Sequence, residues 1–340
     1  MHILVTGGAG YIGSHVVKQL IEDTNNSITI LDNLSTGHEA TIDTLKEIFA
    51  ENKRGKRSFN FIHANLADFV NVDEIFAQNK FDALIHFAAS IVVPESVENP
   101  LKYYMNNTVN TTNIINMCVK HSIAKMIFSS TAAVYGDAKE IPVKETTPKD
   151  PINPYGWSKL MSEQVITDAC TAHDNFDAVI LRYFNVAGAD SLNRIGQSFP
   201  NATHLIKVAA QTALGTREKM ALFGEDYETK DGTCERDYIH VDDLASAHLK
   251  ALDYLDKDDK KSPDIFNVGY GHGFSVAEVI KTMKEISGVD FKVDKEPRRV
   301  GDPAILISDN SKTKKVLGWT PKFDDIKLIC QTALAWEKTV

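Results

Sequence analysis

An α/β fold is predicted, a doubly wound parallel sheet with a smaller C-terminal substrate-binding lobe. Three observations predict it. Residues 2–21 read as strand, glycine turn and helix. Strand-like and helix-like stretches then alternate to about residue 181, which implies a parallel sheet covered by helices on both faces. Beyond about residue 185 the alternation gives way to an irregular pattern.

The apolar run from Ile3 to Val5 has the character of a buried strand. Glycines follow at 7, 8, 10 and 13, and Val16, Val17, Leu20 and Ile21 recur at helical spacing. In that context the glycines read as a Rossmann-type dinucleotide fingerprint. One makes the tight turn, one admits a pyrophosphate, and one lets the helix pack closely on the strand. The helix N-terminus offers N–H groups and a positive dipole end to phosphates. Residues 27–31 read as the second strand, with Asp32 at its C-terminal end. It stands about 20 residues past the glycines, where an acid binds the adenosine ribose hydroxyls of NAD. Residues 33–37 hold no Arg or Lys for a 2′-phosphate, so NAD is expected rather than NADP.

Residues 39–50 look helical, and the basic run 53–57 reads as a solvated loop. Further strands are expected at 59–62, 83–87, 125–129 and 178–181, with a long helix at 97–121 and another at 156–170. Gly, Pro, Asn and charged residues break the pattern at 188–204 and 224–237. Residues 204–214, 242–255, 275–287 and 325–337 look helical, and 256–263 is a surface linker by composition. The expected division is an NAD-binding domain over 1–184, with the chain crossing back at about 236–255, and a substrate lobe formed mainly by 185–340. Ligands of open α/β sheets lie beyond the strand C-termini, so the chemistry is expected there.

A hydrophobic content of 43% supports a full core, and the net charge of -9 gives no reason to expect nucleic acid or an anionic membrane surface. The first strand follows Met1 directly, so no signal peptide is expected. No apolar run approaches the roughly 18 residues of a spanning helix. Cys118, Cys170, Cys234 and Cys330 are scattered, forming neither a zinc pattern nor a disulfide framework. No metal site is expected, and a cytoplasmic protein with reduced thiols is.

Tyr155 and Lys159 stand at i and i+4, on one face of a helix. A phenol near pKa 10 is a poor base at neutral pH, but a nearby ammonium or a positive nicotinamide ring favours the phenolate. Ser129-Ser130-Thr131 ends the fifth strand. Its hydroxyls either bind a substrate hydroxyl beside the Tyr or satisfy a strand-end turn.

Residues 6–13, Ser129-Ser130-Thr131, and Tyr155 with Lys159 resemble the extended short-chain dehydrogenase/reductase family, and the match covers nearly the full length. Further signatures are Asp32-Asn33-Leu34, His86-Phe87-Ala88, Glu95-Ser96-Val97, Tyr103-Tyr104, residues 133–136, 182–185 and 236–244, and Asn267-Val268-Gly269. Within the family the motifs are similar to those of nucleotide-sugar 4-epimerases. The resemblance implies a tightly held NAD, a UDP-sugar substrate, a homodimer, and interconversion of UDP-galactose and UDP-glucose through a 4-keto sugar in galactose metabolism. Tyr155, Lys159 and Thr131 are the implied catalytic residues. The implied cofactor contacts are Gly7, Gly10, Tyr11, Ile12, Gly13, Asp32, Asn33, Asn65, Leu66, Phe87, Ala88, Ala89, Asn106 and Phe184, with Tyr155 and Lys159 themselves. For the UDP-sugar the resemblance implies Thr131, Asn185, His204 and Leu205, with Phe223 against the uracil. Arg236 and Arg299 would hold the diphosphate, and Asp302 the uridine ribose. Two guanidiniums suit a diphosphate through forked, charge-assisted hydrogen bonds.

Several positions depart from the family pattern or discriminate within it. Asn65-Leu66 replaces an acidic residue before a hydrophobic one at the adenine site, and Ile91 stands where some members carry Lys. Ala132-Ala133 follows the Thr where 4,6-dehydratases carry Asp-Glu, and Ala cannot transfer a proton. A non-enzymatic NAD sensor would be expected to lose the Tyr and Lys, and both are present. Leu306 stands where members restricted to UDP-glucose and UDP-galactose often carry Tyr, so room for an acetamido group is expected.

Overall fold

The computed structural model describes residues 1–340 except 53, 200–202 and 300–301. Lys53 of the basic run, Val300 and Gly301 therefore lie outside the described residues. The chain divides into two compact units. Met1–Val134, Pro151–Arg182 and Ala245–Phe266 form the first; Tyr135–Asp150, Tyr183–Leu244 and Asn267–Val340 form the second.

The first unit opens with β1 (His2–Thr6), α1 (Tyr11–Asp23), β2 (Ser27–Asp32), α2 (Glu39–Glu51), β3 (Phe59–His63), α3 (Phe69–Gln78) and β4 (Ala83–His86). The expected long helix at 97–121 is instead broken. α4 (Val93–Glu98) ends at Asn99, α5 (Pro100–Tyr103) restarts at Pro100, and a π-helical turn over Tyr104–Val109 leads into α6 (Asn110–Lys120). The reason is local: Pro100 lacks an N–H to continue α4, and the Asn99 side chain accepts from Lys102 N to cap the new start. β5 (Lys125–Thr131), α7 (Pro154–Ala172) and β6 (Asp177–Tyr183) follow.

The second unit adds β7 (Asn185–Ala187), α8 (Leu205–Ala213), β8 (Met220–Phe223), β9 (Glu235–Arg236) and β10 (Tyr238–His240). α9 (Val241–Tyr254) runs from it into the first unit, and β11 (Asp264–Val268) closes the main sheet. β12 (Phe274–Ser275), α10 (Val276–Ser287), β13 (Val293–Glu296), β14 (Ile305–Leu306), α11 (Ser311–Leu317) and α12 (Ile326–Glu337) complete the chain. α10 is held by a capping box of Ser275 and Glu278 and stops at Gly288, whose φ of 70° suits glycine.

The seven-stranded sheet runs β3-β2-β1-β4-β5-β6-β11. β1 pairs in parallel with both β2 and β4, so the strand order reverses at β1. That switch point opens a crevice at the strand C-termini, which is where the glycine turn, Asp32 and the end of β5 stand. Strand alternation sends Leu4, Leu31, Leu84, Phe128 and Ile180 into one core with Ile114, Ile115 and Ile166. Burying each such side chain stabilises the sheet by about 1.5–3 kcal/mol and so fixes the strand ends rigidly. Arg57 of the basic run donates to the carbonyls of Ile21, Thr24 and Asn52 at 2.6–2.8 Å, satisfying helix C-termini.

Candidate active site

In the first unit the glycine turn is a cradle with no room for side chains. Gly7 has φ +74°, and a Cβ on it would stand 2.6 Å from Ala88 N. A Cβ on Gly13 would stand 2.3 Å from Gly7 O. Gly10 caps α1 without a side-chain hydrogen bond, and the first turn, with Tyr11 and Ile12, carries no acidic residue. The helix itself therefore places no carboxylate against an anion at its start.

Asp32 is 8% exposed and sits beside this turn, its Oδ2 accepting from Ala9 N at 3.0 Å and its Oδ1 from Leu34 N at 2.8 Å. Burial pushes its carboxyl up, and the N–H groups of Leu34 and Ala9 act against that. Each carboxylate oxygen keeps a second lone pair for a ribose hydroxyl. Asn33 and Asn65 are exposed at neighbouring strand ends, while Leu66 is buried in the core. Phe87 N donates to Thr6 O, which ties the half-buried Phe87-Ala88-Ala89 segment to the first strand. Asn106 donates to Ser90 Oγ at 3.0 Å, and Ile91 is exposed.

α7 brings the reactive pair to the end of β5. Asn153 caps the helix through Gly156 N at 2.9 Å, and Pro154 starts it. Tyr155 is buried, has the Thr131 hydroxyl beside its phenol, and faces Tyr103 edge-on at 6.4 Å. Burial pushes its phenol up, and the Thr131 hydroxyl acts against the rise. Lys159, 3% exposed, donates from Nζ to Ser129 O at 2.8 Å and lies 4.9 Å over the Phe128 ring. Burial lowers its ammonium to about 7, and Glu163 acts against that shift. Thr131 also accepts from Ala133 N at 3.1 Å, the strand-end turn. His86 lies buried nearby between Thr6 and Thr111, and burial, then Lys159, lowers its imidazole to about 3. It is a neutral structural histidine.

In the second unit Arg299 stacks 3.7 Å over the Phe223 ring. Arg236 Nη2 lies 3.8 Å from Asp302 Oδ1, and β9–β14 pairing sets Leu306 opposite Arg236. One charged cluster thus carries Arg236, Asp302 and the Leu306 wall. Phe184 is buried and Asn185 exposed, and Asn185 N donates to Asp237 O at 3.0 Å. His204 caps α8 just before Leu205, with Nδ1 2.9 Å from Gln197 Nε2. A small cavity is lined by Asn185, His204, Leu205, Tyr238 and Trp336.

The signature of the NAD dependent epimerase/dehydratase family matches residues 3–269. The chain belongs to that family. It is 46% identical to a UDP-glucose 4-epimerase of Azospirillum brasilense, over 99% of this chain and 92% of that one. It is 43% identical to a UDP-glucose 4-epimerase of Lacticaseibacillus casei, over 99% of this chain and 97% of that one. Among solved structures, the UDP-Glc/GlcNAc 4-epimerase from Campylobacter jejuni superposes with TM-score 0.85 at 56% identity, covering 100% and 99% of the two chains. A Bifidobacterium longum UDP-glucose 4-epimerase in complex with NAD+ and UDP gives TM-score 0.92 at 35% identity, covering 100% and 98%. The family's cofactor is NAD, and the glycine cradle, a first helical turn free of acidic residues, and Asp32 fit it. Among the described residues no group of His, Cys, Asp and Glu is placed to hold a metal ion. No described helix is long and apolar enough to cross a membrane.

The sequence reading did not name Glu163, and it gave Ser130, Arg182 and His86 only as family signatures. Ser130 and Arg182 both engage the buried Glu163, and His86 is buried at the centre of the unit. Glu163 repeats the i, i+4 step from Lys159, a signal available in the sequence.

Proposed function

We propose that the protein is a UDP-hexose 4-epimerase that interconverts UDP-galactose and UDP-glucose with no net redox change, in galactose metabolism. One observation carries this reading: Tyr155 stands beside Thr131 and one turn before Lys159, and Ala132-Ala133, at the positions after Thr131, supply neither an acid nor a base. A site with one base and no second acid favours oxidation and reduction at one carbon over elimination of water. NAD, when bound, supplies a reversible acceptor for the C4 hydride. Tyr155 takes the proton of the 4-hydroxyl as the C4–H bond breaks, and returns it when the 4-keto sugar presents its other face. Thr131 holds the reacting hydroxyl in line with the phenol. The Lys159 ammonium favours the phenolate against the burial that opposes it. Asn185, His204 and Leu205 bind the UDP-sugar, Arg236 and Arg299 hold the diphosphate, Phe223 lies against the uracil, and Asp302 takes the ribose hydroxyls. Incubating the purified protein with UDP-galactose and no added oxidant tests this. UDP-glucose is the expected product; a 4-keto-6-deoxy sugar alone would defeat the reading.

A second reading widens the substrate range to N-acetylated UDP-sugars. Leu306 favours it, since Leu is shorter than Tyr and lacks its hydroxyl, and so does the name of the Campylobacter jejuni relative. Leu306→Tyr is expected to lower kcat/KM for UDP-N-acetylglucosamine by about 10–200-fold while sparing UDP-glucose. Equal loss on both substrates would sink it.

We also infer a homodimer. Val97, Leu101 and Met105 are 63%, 73% and 59% exposed at four-residue steps, with Trp157 and Met161 exposed on α7. An exposed apolar stripe of this kind favours a self-complementary interface. Sedimentation velocity of wild type and Leu101→Glu reads it: a dimer and a monomer are expected, and a wild-type monomer contradicts it. The same reading makes the protein cytoplasmic, where its four free cysteines stay reduced.

A further inference from the structure

Three consecutive residues end β5, and each holds a different partner. Ser129 offers its carbonyl to Lys159 Nζ at 2.8 Å. Thr131 sets its hydroxyl beside the Tyr155 phenol. Between them, Ser130 donates from Oγ to Glu163 Oε1 at 2.5 Å. Glu163 lies one turn beyond Lys159 on α7 and is 3% exposed. It takes a forked pair of bonds from Arg182 on β6, Nε to Oε1 at 2.9 Å and Nη2 to Oε2 at 2.5 Å. Arg182 is wholly buried.

Such a pair is a poor way to stabilise a fold. Its desolvation offsets its attraction, and well-packed apolar residues of similar volume often serve as well or better. What it does supply is geometry. The guanidinium fixes the carboxylate in a plane, and the carboxylate fixes Ser130 between the two residues that hold the reactive pair.

We propose that Glu163 is a positioning residue for the Tyr155–Lys159 couple: it locks the strand end that Lys159 bonds and Tyr155 adjoins, and provides the counter-charge behind Lys159. The proposal rests on the epimerase reading for the role of that couple. The other titratable or charged groups tied to the couple or to Glu163 are already engaged. Tyr155 is on the same helix as Lys159, and His86 on β4 is buried and neutral. Arg182 on β6 is engaged by Glu163, and Tyr103, edge-on to Tyr155, donates to Glu95 at 2.8 Å. Glu163 is therefore the acid that favours the charged form of Lys159, against the burial that brings it to about 7.

The test uses NAD-loaded protein carrying Glu163→Gln with Arg182→Met, which removes both charges and conserves volume, beside Ser130→Ala, which leaves both charges in place. Lys159 is titrated through the 13Cε resonance of lysine-labelled protein, assigned by its loss in Lys159→Arg. Steady-state kinetics are measured across pH, with thermal unfolding alongside. The double variant is expected to fold, to lose about tenfold or more in kcat with KM nearly unchanged, and to titrate Lys159 about one pH unit lower. The alkaline limb of kcat moves down with it. Ser130→Ala is expected to lower kcat several-fold, roughly 3–10-fold, with the titration unmoved. A purely structural role would lower the unfolding temperature and move neither the titration nor the alkaline limb, and that result overturns the proposal. Wild-type kcat in Ser130→Ala overturns it whether or not the double variant folds. An inactive wild type would instead count against the epimerase reading, and the resonance titration would still report the counter-charge.

Discussion

Gly13→Ala isolates the cofactor cradle from the chemistry. By helix propensity alone the change is favourable by about 0.5–1 kcal/mol, since Gly13 lies inside α1. The contacts point the other way. The new Cβ would stand 2.3 Å from Gly7 O, 2.9 Å from Gly8 Cα and 3.0 Å from Gly7 C. An ordinary C···O approach is about 3.3–3.6 Å, so helix and turn must part by about 1 Å. All three atoms are backbone, so no rotamer relieves them. The turn cannot retreat either, because Gly7 N is tied to Leu31 O at 2.9 Å and Gly7 already abuts Ala88. The helix N-terminus moves instead, carrying its N–H groups off the phosphate position. A misplacement of about 1 Å is expected to weaken NAD binding about 10²-fold. The assay is NAD content after purification, Kd by calorimetry, and circular dichroism for the fold. A folded variant with Kd within about threefold of wild type would refute the reasoning.

Tyr155→Phe deletes one buried oxygen. It is expected to cut kcat by about 10²–10⁴-fold with KM nearly unchanged. Thr131 keeps its bond from Ala133 N, so the fold is expected to stand; more than a tenth of wild-type kcat would count against Tyr155 as the base. His86→Gln is expected to flatten acid sensitivity. Its imidazole titrates near 6.5 when unfolded and about 3 when folded, so the unfolded chain binds the extra proton between those values. Stability from this group is complete above pH 6.5 and is lost as pH falls toward 3, at about 1.4 kcal/mol per pH unit. Urea unfolding at pH 7 and pH 5 should show wild type losing more stability than the variant; parallel losses would exclude this role.

The glycine turn, Asp32 and the Tyr155–Lys159 pair are legible because each is encoded by local spacing. The break at Asn99-Pro100 was legible too, but the apolar period running through it masked the cap. β11 was missed because its place in the sheet is set by pairing with β6, more than 80 residues earlier in sequence, and five residues carry little periodicity. The two- to four-residue strands of the second unit are shorter than any pattern can mark. At the site, the Lys159 bond to Ser129 O and the Glu163–Arg182 pair join a helix to strands, and spacing along one element says nothing of them. Sequence spacing sets Glu163 on the Lys159 face of α7 but does not name Ser130 and Arg182 as its partners.

The central claim is that the hydride leaving C4 returns to the same carbon while the proton passes through Tyr155. Purified protein incubated with UDP-galactose deuterated at C4, with no added nicotinamide cofactor or oxidant, tests it directly. The expected product is UDP-glucose with the deuterium retained at C4. UDP-glucose with solvent hydrogen at C4 would contradict the account, as would complete recovery of unchanged UDP-galactose from protein shown to contain NAD.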